Sequence, residues 1–323
     1  MHQESSTGSG PSGSGPSLSG ILRALSAESA AAIEKGGRGV VAVHARRRIP
    51  ASGVHWRAGI VVTTHHAIER SEEIAVTLPG GRTVPAVLAG RDPSTDLAIL
   101  KIEGAETAAL PLPEIADVGQ LTPGYWILTA GRTAEGGARA GAAVVSVVGP
   151  AFQTWRGGQL DAAIRLDRNV HPNFSGGPAI DAGGKIFGII TSGLSRYAAV
   201  VIPASTVERV ATELEKRGRI GRGYLGVGMQ AVRLPAKLRD ALKLAAETGI
   251  MIVSVEPEGP AEKAGVQLGD VLVSIDAAPM RDIPDVQAYL AGTQIGKAAK
   301  ASIIRGGTLV EATIVIGERP ART

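Results

Sequence analysis

The chain has 323 residues, 44% of them hydrophobic and 20% charged, which suits a folded protein with room for two domains. Its lack of cysteine excludes disulfides, thiol catalysis and cysteine-bound zinc. A formal charge of +4 is too slight to argue for nucleic acid, and the basic run Arg46-Arg47-Arg48 has no interleaved aromatics to stack on bases.

Residues 1–20 are rich in Gly, Ser and Pro and predict a disordered head. They hold no basic segment followed by an apolar run, so no signal peptide is expected in them. No apolar run reaches the length of a membrane span. Ile21, Leu22 and Leu25 then fall at helical spacing, predicting a short helix over Leu18–Glu34 that serves oligomerisation or docking.

From Gly39 the texture changes to short apolar runs split by turn residues. They are Val40–His44, Gly59–Thr64, Ile74–Leu78, Thr83–Leu88, Leu97–Ile102, Tyr125–Ala130, Ala142–Val148, Asp161–Leu166, Lys185–Thr191 and Ala198–Ile202. Short strands at this density, in a chain with 43 glycines, predict a mostly β fold built as an antiparallel barrel or sandwich. A helix follows, with Ser205 as its expected cap, an apolar stripe of Val207, Val210, Ala211 and Leu214, and Gly218 as its stop. The chain restarts at Arg222, so a boundary is expected near residues 218–222.

Beyond it, Met251–Val255 and Gly269–Asp276 read as strands. Gly259–Gly265 and Ile283–Gly292 read as short helices, and Lys300–Gly317 as a hairpin about Gly306-Gly307. This is a compact α+β module of binding-domain size. Its opening "GRGYLG" matches a dinucleotide fingerprint, but neither a strand before it nor a helix after it supports that reading.

The chemistry concentrates in three places. His65 and His66 end the run "GIVVTT"; adjacent residues on a strand face opposite ways, which argues against a shared metal. They are either a pair at the edge of the core, or one of them is a general base at a strand-to-loop corner. Asp96 leads directly into "LAIL", a rigid setting for a carboxylate that orients an imidazole, whereas Asp92 stands before Pro93 in a turn. Ser175 lies in "HPNFSGGPAID", where Gly176-Gly177 lets the chain turn away behind a nucleophile. Backbone N–H groups preceding and at the serine would hold an oxyanion.

These segments resemble the HtrA/Deg (high-temperature-requirement) serine proteases. "TTHHAI" is similar to that family's histidine motif T-N-N-H-V-I. "DPSTDLAILKI" is similar to D-x-x-T-D-L-A-V-L-K-I, and "SGGPAIDAGGKIFGIIT" to S-G-G-P-L…G-x-V-I-G-I-N-T. "ASGV" at Ala51–Val54 stands where the family has G-S-G-V. The likeness continues through "GYLGV", "MIVSVEPEGPAEKAGVQLGDVLVSID" and "GERP", and covers about residues 40 to 320.

The resemblance implies a chymotrypsin-like double β-barrel protease domain over residues 21–218, followed by a PDZ domain over 219–323. It implies an ATP-independent endopeptidase acting on unfolded or misfolded polypeptides through an acyl-enzyme. His66 would be the base, Asp96 its orienter and Ser175 the nucleophile, with no metal or other cofactor. The backbone N–H groups of Asn173 and Ser175 would form the oxyanion hole. Tyr224, Leu225, Gly226 and Val227 would receive a peptide C-terminal carboxylate. Homotrimers or larger assemblies and a periplasmic location follow from the same likeness.

Asn173-Phe174 replaces the family's Gly-Asn, His171 its first asparagine, and His65 the asparagine before the base. Asparagine is among the residues most tolerant of positive φ after glycine, and Phe174 is expected to narrow the specificity pocket, whose walls would be 169–174 and 190–193. The departures also motivate a rival reading, a peptide-binding scaffold or chaperone-like regulator on a vestigial protease fold. An esterase on the same residues lacks its G-x-S-x-G context.

Overall fold

A computed structural model describes residues 17–47, 49–104, 109–290 and 294–319. Most of the glycine-rich head, Arg48 of the basic run, the end of the expected helix at Gly292 and Pro320 of "GERP" lie outside those residues. Helix α1 (Leu18–Gly37) is capped by Ser17, whose side chain accepts from Gly20 N–H at 3.2 Å. It outruns the expected span at its C-terminal end, and Ile21, Leu22 and Leu25 are exposed.

Strands β1 (Val40–His44), β2 (Ala51–Arg57), β3 (Ile60–Thr64), β4 (Ile74–Thr77), β5 (Thr83–Asp92) and β6 (Leu97–Ile102) close a barrel in the order β1-β2-β3-β6-β5-β4. The run in β6 is nearly all apolar because both of its faces are buried. Ala98, Leu100 and Ile102 fill the barrel, while Leu97 and Ile99 face the seam with the second barrel.

The second barrel contains β7 (Trp126–Arg132) and β8 (Ala138–Gly149), then a small hairpin of β9 (Phe152–Gln153) and β10 (Gln159–Leu160). It is completed by β11 (Ala163–Leu166), β12 (Pro178–Ile180), β13 (Ile186–Thr191) and β14 (Val200–Pro203), in the order β11-β14-β13-β12-β7-β8. Its interior holds Ile127, Val145, Ile164, Phe187, Ile190 and Val201. Leu128, Leu160, Ile180 and Ile189 join Leu97 and Ile99 in the seam.

Helix α2 (Ala204–Arg217) lays Val207, Val210, Ala211 and Leu214 on that seam and stops at Gly218, left-handed at φ 69°. It begins one residue before the expected cap. Pro203 occupies the cap because β14 runs directly into the helix, and Ser205 instead hydrogen-bonds Asp161.

The C-terminal module contains β15 (Gly223–Tyr224), β16 (Val227–Arg233), α3 (Ala236–Leu242), β17 (Thr248–Val255), α4 (Pro260–Lys263), β18 (Val271–Ile275) and β19 (Ala278–Pro279). It ends with α5 (Ile283–Tyr289), β20 (Ala298–Arg305), β21 (Thr308–Val315) and β22 (Gly317–Glu318). Its main sheet runs β16-β17-β18-β20-β21, with β19 on β18, and its core includes Leu225, Ile250, Leu272, Val286, Ile303 and Ile314. Arg222 ties this module to the two barrels, donating to Arg156 O at 2.8 Å and to Asp92 Oδ1 at 3.5 Å.

Candidate active site

The β3–β6 ladder pairs Thr64 with Leu97, so the residues just beyond it, His66 and Asp96, come together at the end of the sheet. His65, His66 and Ala67 form a 3-10 turn that swings the second histidine off the strand direction. Asp96 adopts φ 59°, a left-handed conformation rare for a residue with a Cβ. This lets the carboxylate grip one residue twice. Oδ1 accepts His66 N–H at 2.9 Å, and Oδ2 lies 2.7 Å from His66 Nδ1. A ring that gives its Nδ1 proton to a carboxylate keeps its lone pair on Nε2, the tautomer a general base requires.

The Asp96 side chain is 3% exposed and that of His66 is 29% exposed, so the carboxylate is shielded while the imidazole reaches the surface. His65 takes no part. Its ring is oriented without a partner at Nδ1, and burial pushes its pKa below the ordinary value. Asp92 is the turn residue its position suggested, accepting from the Ser94 and Thr95 hydroxyls.

Ser175 is fully buried on the second barrel. Three consecutive residues at the end of β13 bring it to the histidine–aspartate pair. The Thr191 hydroxyl donates a close hydrogen bond to Asp96 Oδ2. Ser192 Oγ is 3.1 Å from Ser175 Oγ. At Gly193 a Cβ would fall 2.4 Å from Asp96 Oδ2 and 2.7 Å from His66 Nδ1, so the chain passes there only without a side chain. In this resting arrangement the hydrogen bonds of Ser175 Oγ run to Ser192. Gly176, at φ 86°, is required for a similar reason: a Cβ would meet Ser52 O at 2.0 Å.

The expected oxyanion donors are present, but their N–H groups are occupied. Pro172–Phe174 form a 3-10 turn in which Ser175 N–H donates to Pro172 O at 3.2 Å. Asn173 N–H donates to His171 Nδ1 at 3.2 Å. Asn173 is not among the left-handed residues. Its side chain is anchored inward, Nδ2 donating to Pro50 O at 3.0 Å and to Arg132 O at 2.8 Å, and Ser52 Oγ donates to its carbonyl at 2.7 Å. A formed hole therefore requires a rearrangement of this turn. The Phe174 ring packs against Gly131 of β7 and Gly141 of β8, which redirects the expectation that it lies along the specificity pocket.

In the C-terminal module, Tyr224, Leu225, Gly226 and Val227 line a cavity of about 110 Å³ together with Met229, Gln287 and Leu290. Gly226 is left-handed at φ 76°. The carbonyls of Leu225 and Gly226 turn away to accept from Ala261 and Glu256 N–H, each at 2.8 Å. The cavity wall is mostly apolar and suits an aliphatic side chain. Among the described residues no group of three or more His, Asp or Glu could hold a metal ion.

The sequence placed Thr191 and Ser192 only in an expected pocket wall and Ser52 only within the "ASGV" likeness, and gave none of them a part in joining Ser175 to the histidine–aspartate pair. Thr191 ends an apolar run that reads only as a strand, and its one visible signal was alignment with the closing threonine of the family's serine motif.

A model of trypsin-like peptidase domains matches residues 51–189 and a model of PDZ domains matches 223–316. A probable periplasmic serine endoprotease DegP-like of Brucella suis biovar 1 (strain 1330) is 32% identical over 267 residues, 81% of this chain and 51% of that protein. A protein of the same description from Pseudomonas putida (strain GB-1) is 31% identical over 81% of this chain and 54% of its own length. The chain thus spans about half the length of the curated relatives it matches. The solved structure of the HtrA-type protease AlgW with a decapeptide superposes with a TM-score of 0.72 at 26% identity, over 91% of this chain and 99% of that one. The serine endoprotease from Yersinia pestis gives 0.71 at 26% identity, over 90% and 98%. With both domain types in this order, the chain belongs to the HtrA/Deg family of trypsin-like serine proteases that carry a PDZ domain.

Proposed function

We infer that this chain is an ATP-independent serine endopeptidase that cleaves unfolded or misfolded polypeptides through an acyl-enzyme. Ser175 Oγ attacks the scissile carbonyl as its proton passes to His66 Nε2, and Asp96 stabilises the imidazolium through Nδ1. The oxyanion is held by the N–H groups of Asn173 and Ser175 once the 172–174 turn has rearranged. Collapse of the tetrahedral intermediate expels the amine, which takes the proton from His66. Water, activated by the same base, then releases the acyl group.

The observation that carries this reading is the pairing of His66 with a buried Asp96 at 2.7 Å, with Thr191, Ser192 and Gly193 linking that pair to Ser175. The PDZ domain would take polypeptide C-termini, their carboxylates on the Tyr224–Val227 loop and their chain beside β16, facing α5. A homotrimer or larger homo-oligomer accords with the family, as does a periplasmic location with the names of the relatives. No described helix is long and apolar enough to cross a membrane.

The test is digestion of an unfolded casein by the purified chain, with and without peptides bearing apolar C-termini, beside the Ser175→Ala variant. Cleavage that disappears in Ser175→Ala is expected. Intact casein under every condition would refute the protease reading and favour a peptide-binding scaffold.

A further inference from the structure

The peptide plane joining Pro172 to Asn173 decides whether the oxyanion site exists. Its carbonyl occupies Ser175 N–H and its own N–H points to His171, so turning this one plane over would free both donors together. Such a flip rotates φ of residue 173 into the left-handed region, where asparagine is better tolerated than most residues.

Two charged or titratable side chains hold the plane where it is. On the N–H side, His171 Nδ1 accepts from Asn173 N–H at 3.2 Å. On the carbonyl side, Arg46 Nη2 donates to Pro172 O at 3.2 Å. Arg46 is itself fixed by Ile49 O, through Nε, and by Pro50 O at 3.4 Å, so it brings the β1–β2 loop against the turn. Neither contact forms part of the reaction, and both oppose the arrangement that the reaction requires.

We propose that His171 and Arg46 are positioning residues that latch the oxyanion loop in its resting form, and that protonation of His171 releases the latch. The inference rests on the serine protease reading. Its chemical basis is simple: a neutral imidazole accepts at Nδ1, whereas the protonated ring carries a hydrogen there and cannot. The charged groups facing the ring come from two elements. Arg139 of β8 places Nη1 3.5 Å from His171 Nδ1, and Arg46 approaches from the β1–β2 loop with Glu69 beside it. Acidification thus replaces an accepting contact with repulsion between the imidazolium and the Arg139 guanidinium, and the plane is driven over.

Asparagine occurs only at 169 and 173, which makes the loop directly observable. Full-length Ser175→Ala protein labelled with 15N-asparagine should show two backbone amide signals. The Asn173 signal should shift on acidification, and adding His171→Ala should abolish that shift. An Asn173 signal indifferent to pH, or a titration that survives His171→Ala, overturns the proposal even if the chain cleaves nothing.

In the otherwise unaltered chain, His171→Ala should raise kcat/KM at pH 8 about fivefold, the equivalent of one neutral hydrogen bond, and flatten the acid side of the profile. His171→Asn offers an acceptor that does not titrate, so its rate should gain nothing on acidification. A drop in rate for His171→Ala that His171→Asn restores with its pH dependence intact would mean that His171 merely supports the loop, and would also overturn the latch.

Discussion

Replacing Thr191 by valine removes one oxygen from a fully buried site and leaves the shape almost unchanged. That hydroxyl donates to Asp96 Oδ2 and accepts Gly193 N–H at 2.8 Å. A hydrogen bond to an ionised carboxylate contributes about 1.5–3 kcal/mol, and the stranded N–H adds its own desolvation cost. Asp96 keeps both bonds to His66, so the carboxylate is loosened rather than lost. If most of the lost interaction is felt when the imidazolium forms, kcat should fall by about 10- to 100-fold, since about 1.4 kcal/mol corresponds to a factor of ten. KM should barely move, because Thr191 acts through Asp96 rather than on bound substrate. Steady-state cleavage of a fluorogenic peptide measures both constants, and thermal melts followed by circular dichroism check that the fold persists. Thr191→Ser should recover most of the rate. Parental kcat in a folded Thr191→Val protein, or equal damage from valine and serine, would refute the reasoning.

Gly193→Ala should abolish measurable cleavage with little change in melting temperature, because its methyl would press on Asp96 Oδ2 and His66 Nδ1; retained activity would show that the corner is looser than described. In the PDZ domain, the Arg305 hydrogen bonds hold the Asp270 carboxyl below its ordinary pKa. Its stabilisation is therefore complete above the ordinary carboxylate range, near ~4, and is lost as pH falls through the lower folded value. Arg305→Met should lower that domain's melting temperature at neutral pH by about 5 °C, and the deficit should shrink in acid; differential scanning calorimetry reads both. Burial lowers the pKa of His44, His55 and His65, all in the first barrel. The unfolded chain takes up those protons first, so calorimetric stability should be level above about pH 7 and decline below the ordinary imidazole value of ~6.5; a melting temperature flat down to pH 5 would contradict this.

The strands were legible wherever a run was apolar on both faces, as in β6, or bounded by turn residues, as in the β20–β21 hairpin. Strand β2 was not read as one. Ser52, Gly53 and His55 interrupt its apolar pattern, yet all are buried because the strand lies at the meeting of two barrels and its polar groups serve them. Ser52, for instance, bonds Asn173 O and receives Arg132 N–H. His66, Asp96 and Ser175 could be proposed together because each lies in a segment that resembles a family motif. Thr191 could not, since its hydroxyl acquires a purpose only when the two barrels meet. The orientation of the Pro172–Asn173 peptide was also beyond reach. The resting orientation is held by contacts with Arg46 and His171 that no short motif encodes.

Ser175 is proposed as a nucleophile activated by His66 and Asp96. Intact-protein mass spectrometry after exposure to a fluorophosphonate tests it most directly. One adduct per chain is expected, mapped to Ser175, absent from Ser175→Ala and formed far more slowly in His66→Ala. An unmodified chain under conditions that label a control protease, or an adduct that persists in Ser175→Ala, would contradict it.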